Sequence, residues 1–354
     1  MIMVKKEGIL LEKTTLGFEN AGVLNPAVIS EGGFIYLFYR AMGKDNHSSI
    51  GYCKLKNPFS IVERYDLPVL FPQFDYESLG VEDPRITKID DLFYLTYTAY
   101  DGVNALGALA VSKDLQHFDK KGLIVPQISY DEFSRLAECK CIIHTKYHRY
   151  NERAGVIGKE GKKVLVYDKD VVFFPRRING KLYFLHRIKP DIQIVSVNNL
   201  EELNKEFWQS YFLDFNDSIM LSPKYDHEVS FIGGGCPPIE TENGWLLIYH
   251  AVYDTVEGYV YSACAALFDL ENPHMELARL PYPLFKPEEE WELKGAVNNV
   301  CFPSGTSLVD DTLYIYYGAA DELIAYASVS LSALLKELML NTKEEGKSSC
   351  CEMP

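Results

Sequence analysis

The stretch 79-LGVEDPRITKIDDLFYLTYTAYDG-102 sets Glu82, Asp83 and Arg85 around a proline, passes a polar turn at Asp90 and Asp91, and then runs into aromatic and β-branched residues. The two runs flanking that turn read as a β-hairpin. The same layout recurs in 25-NPAVISEGGFIYLFYR-40, 174-FPRRINGKLYFLHR-187, 237-PPIETENGWLLIYH-250 and 302-FPSGTSLVDDTLYIYYG-318. Each copy has a proline, a short extended segment, a Gly, Asp or Asn turn, and five or six strand formers ending at a polar or small residue. Repeats of about 60 to 90 residues in a strand-rich chain predict a propeller, whose equivalent sheets pack around an axis and cover one another's faces. Five copies predict an all-β, five-bladed β-propeller. An all-β sandwich with several similar hairpins is the alternative. A proline cannot donate to a sheet ladder, which suits it to the entrance of the innermost strand of each blade. Residues beside it are thereby carried to one rim of a central channel.

The rest of the chain agrees. Of 354 residues, 47% are hydrophobic and 13% aromatic, with 24 tyrosines, enough for a sizeable core. The helical exception is 330-SLSALLKELML-340, where Leu331, Leu334, Leu335, Leu338 and Met339 recur at i, i+3, i+4 behind a serine cap. Residues 1–340 are therefore expected to form one catalytic propeller with a short C-terminal helix, and 341-NTKEEGKSSCCEMP-354 a disordered polar tail. A net charge of −15 opposes nucleic acid and anionic membranes, leaving a small or neutral partner. With neither a signal-like apolar run nor a membrane-length one, a cytoplasmic address is expected, and with it reduced, buried cysteines.

A propeller gathers equivalent positions into one funnel. Asn25, Arg40, Glu82, Asp83, Arg85, Arg187, His250 and Asp321 form that set: carboxylates, arginines and a histidine able to grip hydroxyls and move protons. Sugars fit, because carboxylate and guanidinium groups pair with vicinal hydroxyls while aromatic faces cover C–H surfaces.

In this order, GVEDPRITK, FPRRINGKLYFLHR, GGGCPPIETENGWLLIYH and YYGAAD resemble glycoside hydrolase family 130, the β-mannoside phosphorylases and β-mannosidases, over roughly residues 20 to 330. The resemblance implies inverting cleavage of a β-mannosidic bond in a disaccharide or oligosaccharide. Asp83 would be the acid, passing its proton through a mannose hydroxyl, with Glu82 and Arg85 as its setting. Asn25, Arg40 and Asp321 would hold the mannose ring. No cofactor or metal is implied, and inorganic phosphate is a possible co-substrate.

Two departures decide the acceptor. Family phosphorylases hold phosphate with two arginines, a lysine and a histidine; Arg187 and His250 match two of these. In 168-DKDVVFFPRR-177 the expected Arg-Asn pair reads Lys169-Asp170, and in 231-FIGGGCPP-238 the expected lysine reads Phe231. Losing a cation and gaining an acid weakens a dianion site, so hydrolysis is favoured, with Asp170 or Glu228 as the base that activates water. Phosphorolysis is the alternative, since Lys169 keeps a charge and Lys189 can replace the missing one. A non-catalytic sugar-binding propeller and a glycosidase acting on arabinan or xylan are the other readings.

Other motifs read as bland. Cys139, Cys141, His144 and His148 do not follow a common zinc spacing. The Gly233–Gly235 run lacks a following Lys-Ser/Thr and so is no P-loop. Residues 127–165, basic and poor in strand signals, are expected to be a lid or an oligomer contact.

Overall fold

A computed structural model of the chain describes residues 2–140, 142–148 and 163–342. The N-terminal strand β1 (Lys5–Leu11) precedes five blades, the first two joined by a single parallel bridge between Ser48 and Gly80. Blade 1 contains β2 (Gly22–Glu31), β3 (Phe34–Met42), β4 (Ser48–Asn57) and β5 (Ser60–Arg64); blade 2, β6 (Gly80–Ile89), β7 (Leu92–Tyr100), β8 (Ala105–Ser112) and β9 (Asp119–Leu123). Blade 3 contains β10 (Lys169–Phe173), β11 (Leu182–Arg187), β12 (Ile192–Val197) and β13 (Ile219–Leu221). Blade 4 starts with β14 (Phe231–Gly234) and β15 (Ile239–Thr241) and continues through β16 (Gly244–Thr255), β17 (Gly258–Phe268) and β18 (Glu276–Arg279). Blade 5 is β19 (Cys301–Val309), β20 (Thr312–Ala319) and β21 (Leu323–Ser330), completed by β1 lying antiparallel to β21. The chain is a five-bladed β-propeller, and this last pairing closes the ring. Strands β2, β6, β10 and β14 touch in succession and β19 packs on β2, so the first strand of every blade faces the axis.

Hydrophobic clusters fill the spaces between blades, with Trp245, Tyr39, Phe174 and Phe184 among the largest fully buried side chains. The expected C-terminal helix spans Leu331–Asn341; Ser330 Oγ accepts from the Ala333 amide, and Leu334 and Leu338 are buried against blades 4 and 5. Two helices lack the long periodicity that announces this one. Tyr130–Ala137 and Lys205–Leu213 are capped by Ser129 and Asn204 and pack on each other through aromatic rings, Phe133 meeting Phe212 edge-on at 5.4 Å. Short aromatic helices of this kind are held by packing more than by propensity. The first of them lies in the 127–165 segment; residues 149–162, Cys141 and the expected tail from 343 onward lie outside the described residues. Among those described, no helix is long and apolar enough to cross a membrane. Cys53, Cys236, Cys264 and Cys301 are buried free thiols.

Every blade also holds one fully buried carboxylate away from the channel: Glu19, Glu77, Asp168, Glu228 and Glu292. In four blades it accepts from the tyrosine that ends the second strand's apolar run (Tyr39, Tyr97, Tyr249, Tyr317) and pairs with a cation on the outermost strand (Arg64, Lys120, Arg279, Lys6). Blade 3 uses His186 instead, whose Nδ1 is 2.8 Å from Asp168 and whose Nε2 is 2.7 Å from the Tyr211 hydroxyl. Each clasp ties the middle of a blade to its edge, and a buried charge so partnered is costly to leave alone.

Candidate active site

The inner strands bend where their side chains are needed. Asn25, Asp83 and Asp170 take left-handed φ values of 50°, 47° and 54°, at breaks in the ladder between β2 and β3, β6 and β7, and β10 and β11. Asn and Asp tolerate this conformation better than other non-glycine residues, and a bulge re-aims its side chain toward the axis. The second strands end opposite these bends, with Arg40 beside Leu24, Arg187 beside Lys169 and His250 beside Gly233. Glycine is required where backbones close in: a Cβ on Gly318 would lie 2.0 Å from Asn25 Oδ1, and one on Gly233 2.4 Å from the His250 ring.

Asn25, Arg40, Asp83 and Arg187 thereby line a cavity of about 360 Å³ that draws side chains from all five blades. One end is acidic. Asp83 Oδ1 accepts from Asn25 Nδ2 at 2.7 Å and lies 3.4 Å from Arg40 Nη1, while its Oδ2 is 2.9 Å from Lys169 Nζ. Burial pushes the Asp83 pKa up, but the Lys169 ammonium and the Arg40 guanidinium outweigh it and hold the group far below the usual carboxylate range. Arg40 also grips Glu82 at 2.7 Å and donates to Ser48 Oγ at 3.0 Å. Burial, then the neighbouring Asp83 carboxylate, push Asp321 up to about 6.

The other end is cationic and aromatic. Lys169, Arg187 and Lys189 line it beside Phe231, Tyr261 and Phe302. Arg187 Nε is 3.1 Å from Asp170 Oδ2, and its Nη1 donates to His250 Nε2 at 3.1 Å. His250 is buried, its ring lies tilted against Phe302 with centroids 4.5 Å apart, and burial depresses its pKa well below the ordinary value, so the neutral ring accepts from Arg187. For Asp170, burial acts upward, but the Arg187 and Lys169 cations prevail and hold its pKa below the usual value.

The residues expected from sequence divide in two. Asn25, Arg40, Glu82, Asp83, Asp321, Lys169, Arg187 and Phe231 line the cavity. Four others do not. Arg85 is 1% exposed, and its guanidinium reaches the carbonyls of Asp83, Pro84, Gly234 and Gly235, joining blades 2 and 4 below the cavity floor. Asp170 and His250 have fully buried side chains and contact Arg187. Glu228 is the blade 4 clasp, held by Tyr249, Arg279 and the amides of Lys224 and Tyr225. Its placement as a base for water is corrected by this geometry. Tyr100, Tyr167, Tyr261 and Phe302 went unrecognised in sequence, although Phe302 precedes the proline of the fifth copy just as Asn25 and Asp83 precede theirs. His148 pairs with Glu138 at 3.1 Å. A larger groove of about 720 Å³, between blade 2 and residues 200–203, also holds acids and cations, but Lys113, Asp114, Asp119, Lys121 and Glu201 are all exposed to solvent.

The family model described as beta-1,4-mannooligosaccharide phosphorylase matches residues 13–149 and 142–340. The chain is 32% identical over 347 residues to a 1,2-beta-oligomannan phosphorylase of Thermoanaerobacter sp. (strain X514), covering 94% of this chain and 98% of the relative. It is 33% identical over 329 residues to a beta-1,2-mannobiose phosphorylase of the same organism, covering 88% and 91%. Its fold matches that of the Listeria innocua beta-1,2-mannobiose phosphorylase, solved with beta-1,2-mannobiose, at a TM-score of 0.70 and 23% identity over 95% of this chain and 99% of that one.

Proposed function

The chain belongs to glycoside hydrolase family 130, enzymes acting on β-mannosides, and from that premise we propose that it is an inverting β-mannoside phosphorylase releasing α-mannose 1-phosphate. This reverses the preference for water drawn from sequence. What carries the reading is the charge around the cavity. The carboxylates that line it, Glu82, Asp83 and Asp321, all cluster around Arg40, whereas Arg187 and Lys189 line it beside Phe231 and Lys169 reaches Asp83 from that side. Asp170 and Glu228, the two candidate bases for water, have fully buried side chains, paired with Arg187 and with Arg279. An anionic acceptor finds partners there, whereas neither candidate base faces the cavity to activate water.

In the mechanism, Asn25, Arg40 and Asp321 hold the mannose ring over Asp83. The C1–O bond to the leaving sugar breaks as a phosphate oxygen bonds to C1 from the opposite face. The leaving oxygen takes the proton of Asp83, relayed by a mannose hydroxyl, and the proton of hydrogen phosphate is given up to restore the acid. Lys169 and Arg187 receive phosphate, and His250 and Asp170 fix the Arg187 guanidinium from behind. Arrival of the dianion draws Lys169 from Asp83, which raises the proton affinity of the acid when a proton is needed. Residues 1–340 act as one catalytic unit, since all five blades contribute to the cavity. A charged sugar phosphate is retained by membranes, which suits a cytoplasmic enzyme. Both relatives named above are described for β-1,2 linkages, so β-1,2-mannobiose heads the panel of mannobioses to assay. The test is whether sugar release depends on phosphate and yields mannose 1-phosphate.

A further inference from the structure

Phe231 carries an aromatic ring where a lysine was expected, and the ring is 1% exposed. The Lys189 ammonium lies 3.7 Å from its centroid and the Arg187 guanidinium 5.2 Å from it. Both cations line the cavity with Phe231. Two like charges repel, and the electron-rich face of an aromatic ring offsets part of that repulsion, beside the Asp170 carboxylate that pairs with Arg187.

The contact is built into the backbone. Lys189 sits in the turn between β11 and β12, closed by Gln193, whose fully buried side chain accepts from the Ile188 amide at 2.7 Å and donates to the Ile188 carbonyl at 2.9 Å. The Ile232 amide, next to Phe231, donates to the Pro190 carbonyl, next to Lys189, at 3.0 Å. Residues 146 and 147 brace the same pair of segments: Lys146 reaches the Val229 carbonyl and Tyr147 reaches Asp191. The turn of blade 3 and the first strand of blade 4 are thus locked together at the point where the cation meets the ring.

Resting on the phosphorylase reading, we infer that Lys189 binds the acceptor phosphate in place of the missing strand lysine and that Phe231 is a positioning residue seating Lys189 for the dianion. The lysine has moved from the strand to the neighbouring turn, and the ring left in its place holds it.

The test is steady-state kinetics of the full chain on a mannobiose that it cleaves, with phosphate and disaccharide varied separately. Lys189→Met should raise the KM for phosphate about tenfold or more and leave the KM for disaccharide within about twofold. Phe231→Leu, which keeps bulk and removes the π face, should raise the KM for phosphate several-fold. The double variant should be no worse than Lys189→Met alone, because the ring acts through the lysine. Phe231→Lys should also weaken phosphate, since it removes the seat and adds a repelling charge. A purely structural Phe231 would lower the melting temperature and active fraction without moving the KM for phosphate. Lys189 is partly exposed, so Lys189→Met remains readable if the Phe231 variants fail to fold. An unchanged KM for phosphate in Lys189→Met, or effects of the two substitutions that multiply, would overturn the inference while leaving phosphorolysis standing. A wild-type rate indifferent to phosphate would overturn both.

Discussion

The ammonium of Lys169 stands 2.9 Å from the carboxylate of Asp83, and both line the same cavity. Lys169 therefore holds the candidate acid as an anion while facing the end where the acceptor is proposed to bind. Activity requires protonated Asp83, so the rate should fall as pH rises past its pKa. Lys169→Met removes the largest of the opposing effects and raises that pKa. The descending limb of kcat/KM at low phosphate should then move upward by about one pH unit or more. A limb at the wild-type position would separate Lys169 from the acid.

Asp83→Asn should reduce kcat by about a hundredfold or more while sugar binding persists, because Asn25 and Arg40 stay in place. Calorimetric titration with the disaccharide, set beside the rate, checks both halves. Wild-type turnover would remove Asp83 from the acid role.

Asp321, raised to about 6, works against stability at neutral pH. Its folded pKa exceeds the unfolded value of about 4, so the folded state binds the proton more tightly, and stability is lost as pH climbs between these values. Asp321→Asn should melt higher than wild type at pH 8, with the difference shrinking toward pH 4, and should raise the KM for disaccharide. A variant melting lower at pH 8 would mean that the ionised carboxylate is a net stabiliser.

Glu228 separates a clasp from a base. Glu228→Gln removes one of the two carboxylates on Arg279, Glu276 remaining, and weakens the buried bonds to Tyr249 and two amides, a loss on the order of 3 kcal/mol, readable by chemical denaturation. The kcat per folded molecule should stay within about threefold. A hundredfold fall in a folded variant would restore Glu228 as the base.

The blades were legible because each repeats one sequence of physical tasks: a proline at an inner-strand bend, a tight turn, a run of strand formers. The mannose side of the cavity was legible for the same reason, since Asn25 and Asp83 each sit beside such a proline and Arg40 ends such a strand. The acceptor side was harder. Asp170 has the same left-handed bend as Asp83, yet Arg187 draws its carboxylate away from the cavity, and residue type does not encode that choice. His250 occupies the strand-end position of Arg187 but lies beneath it, against Phe302. Glu228 was misread because its partners are remote in sequence, Tyr249 by 21 residues and Arg279 by 51. A signal existed: a glutamate precedes the strand-end tyrosine by 20, 20, 21 and 25 residues in blades 1, 2, 4 and 5. A carboxylate repeated at that spacing belongs to the framework, because a catalytic base is needed once.

The acceptor is tested most directly by following products from β-1,2-mannobiose and its linkage isomers with and without inorganic phosphate. Phosphorolysis requires one mannose 1-phosphate for each free sugar released, at a rate that saturates with phosphate and nearly vanishes without it. Mannose as the sole product, formed at a rate indifferent to phosphate, would contradict it and return the choice to water and to a base other than Asp170 and Glu228.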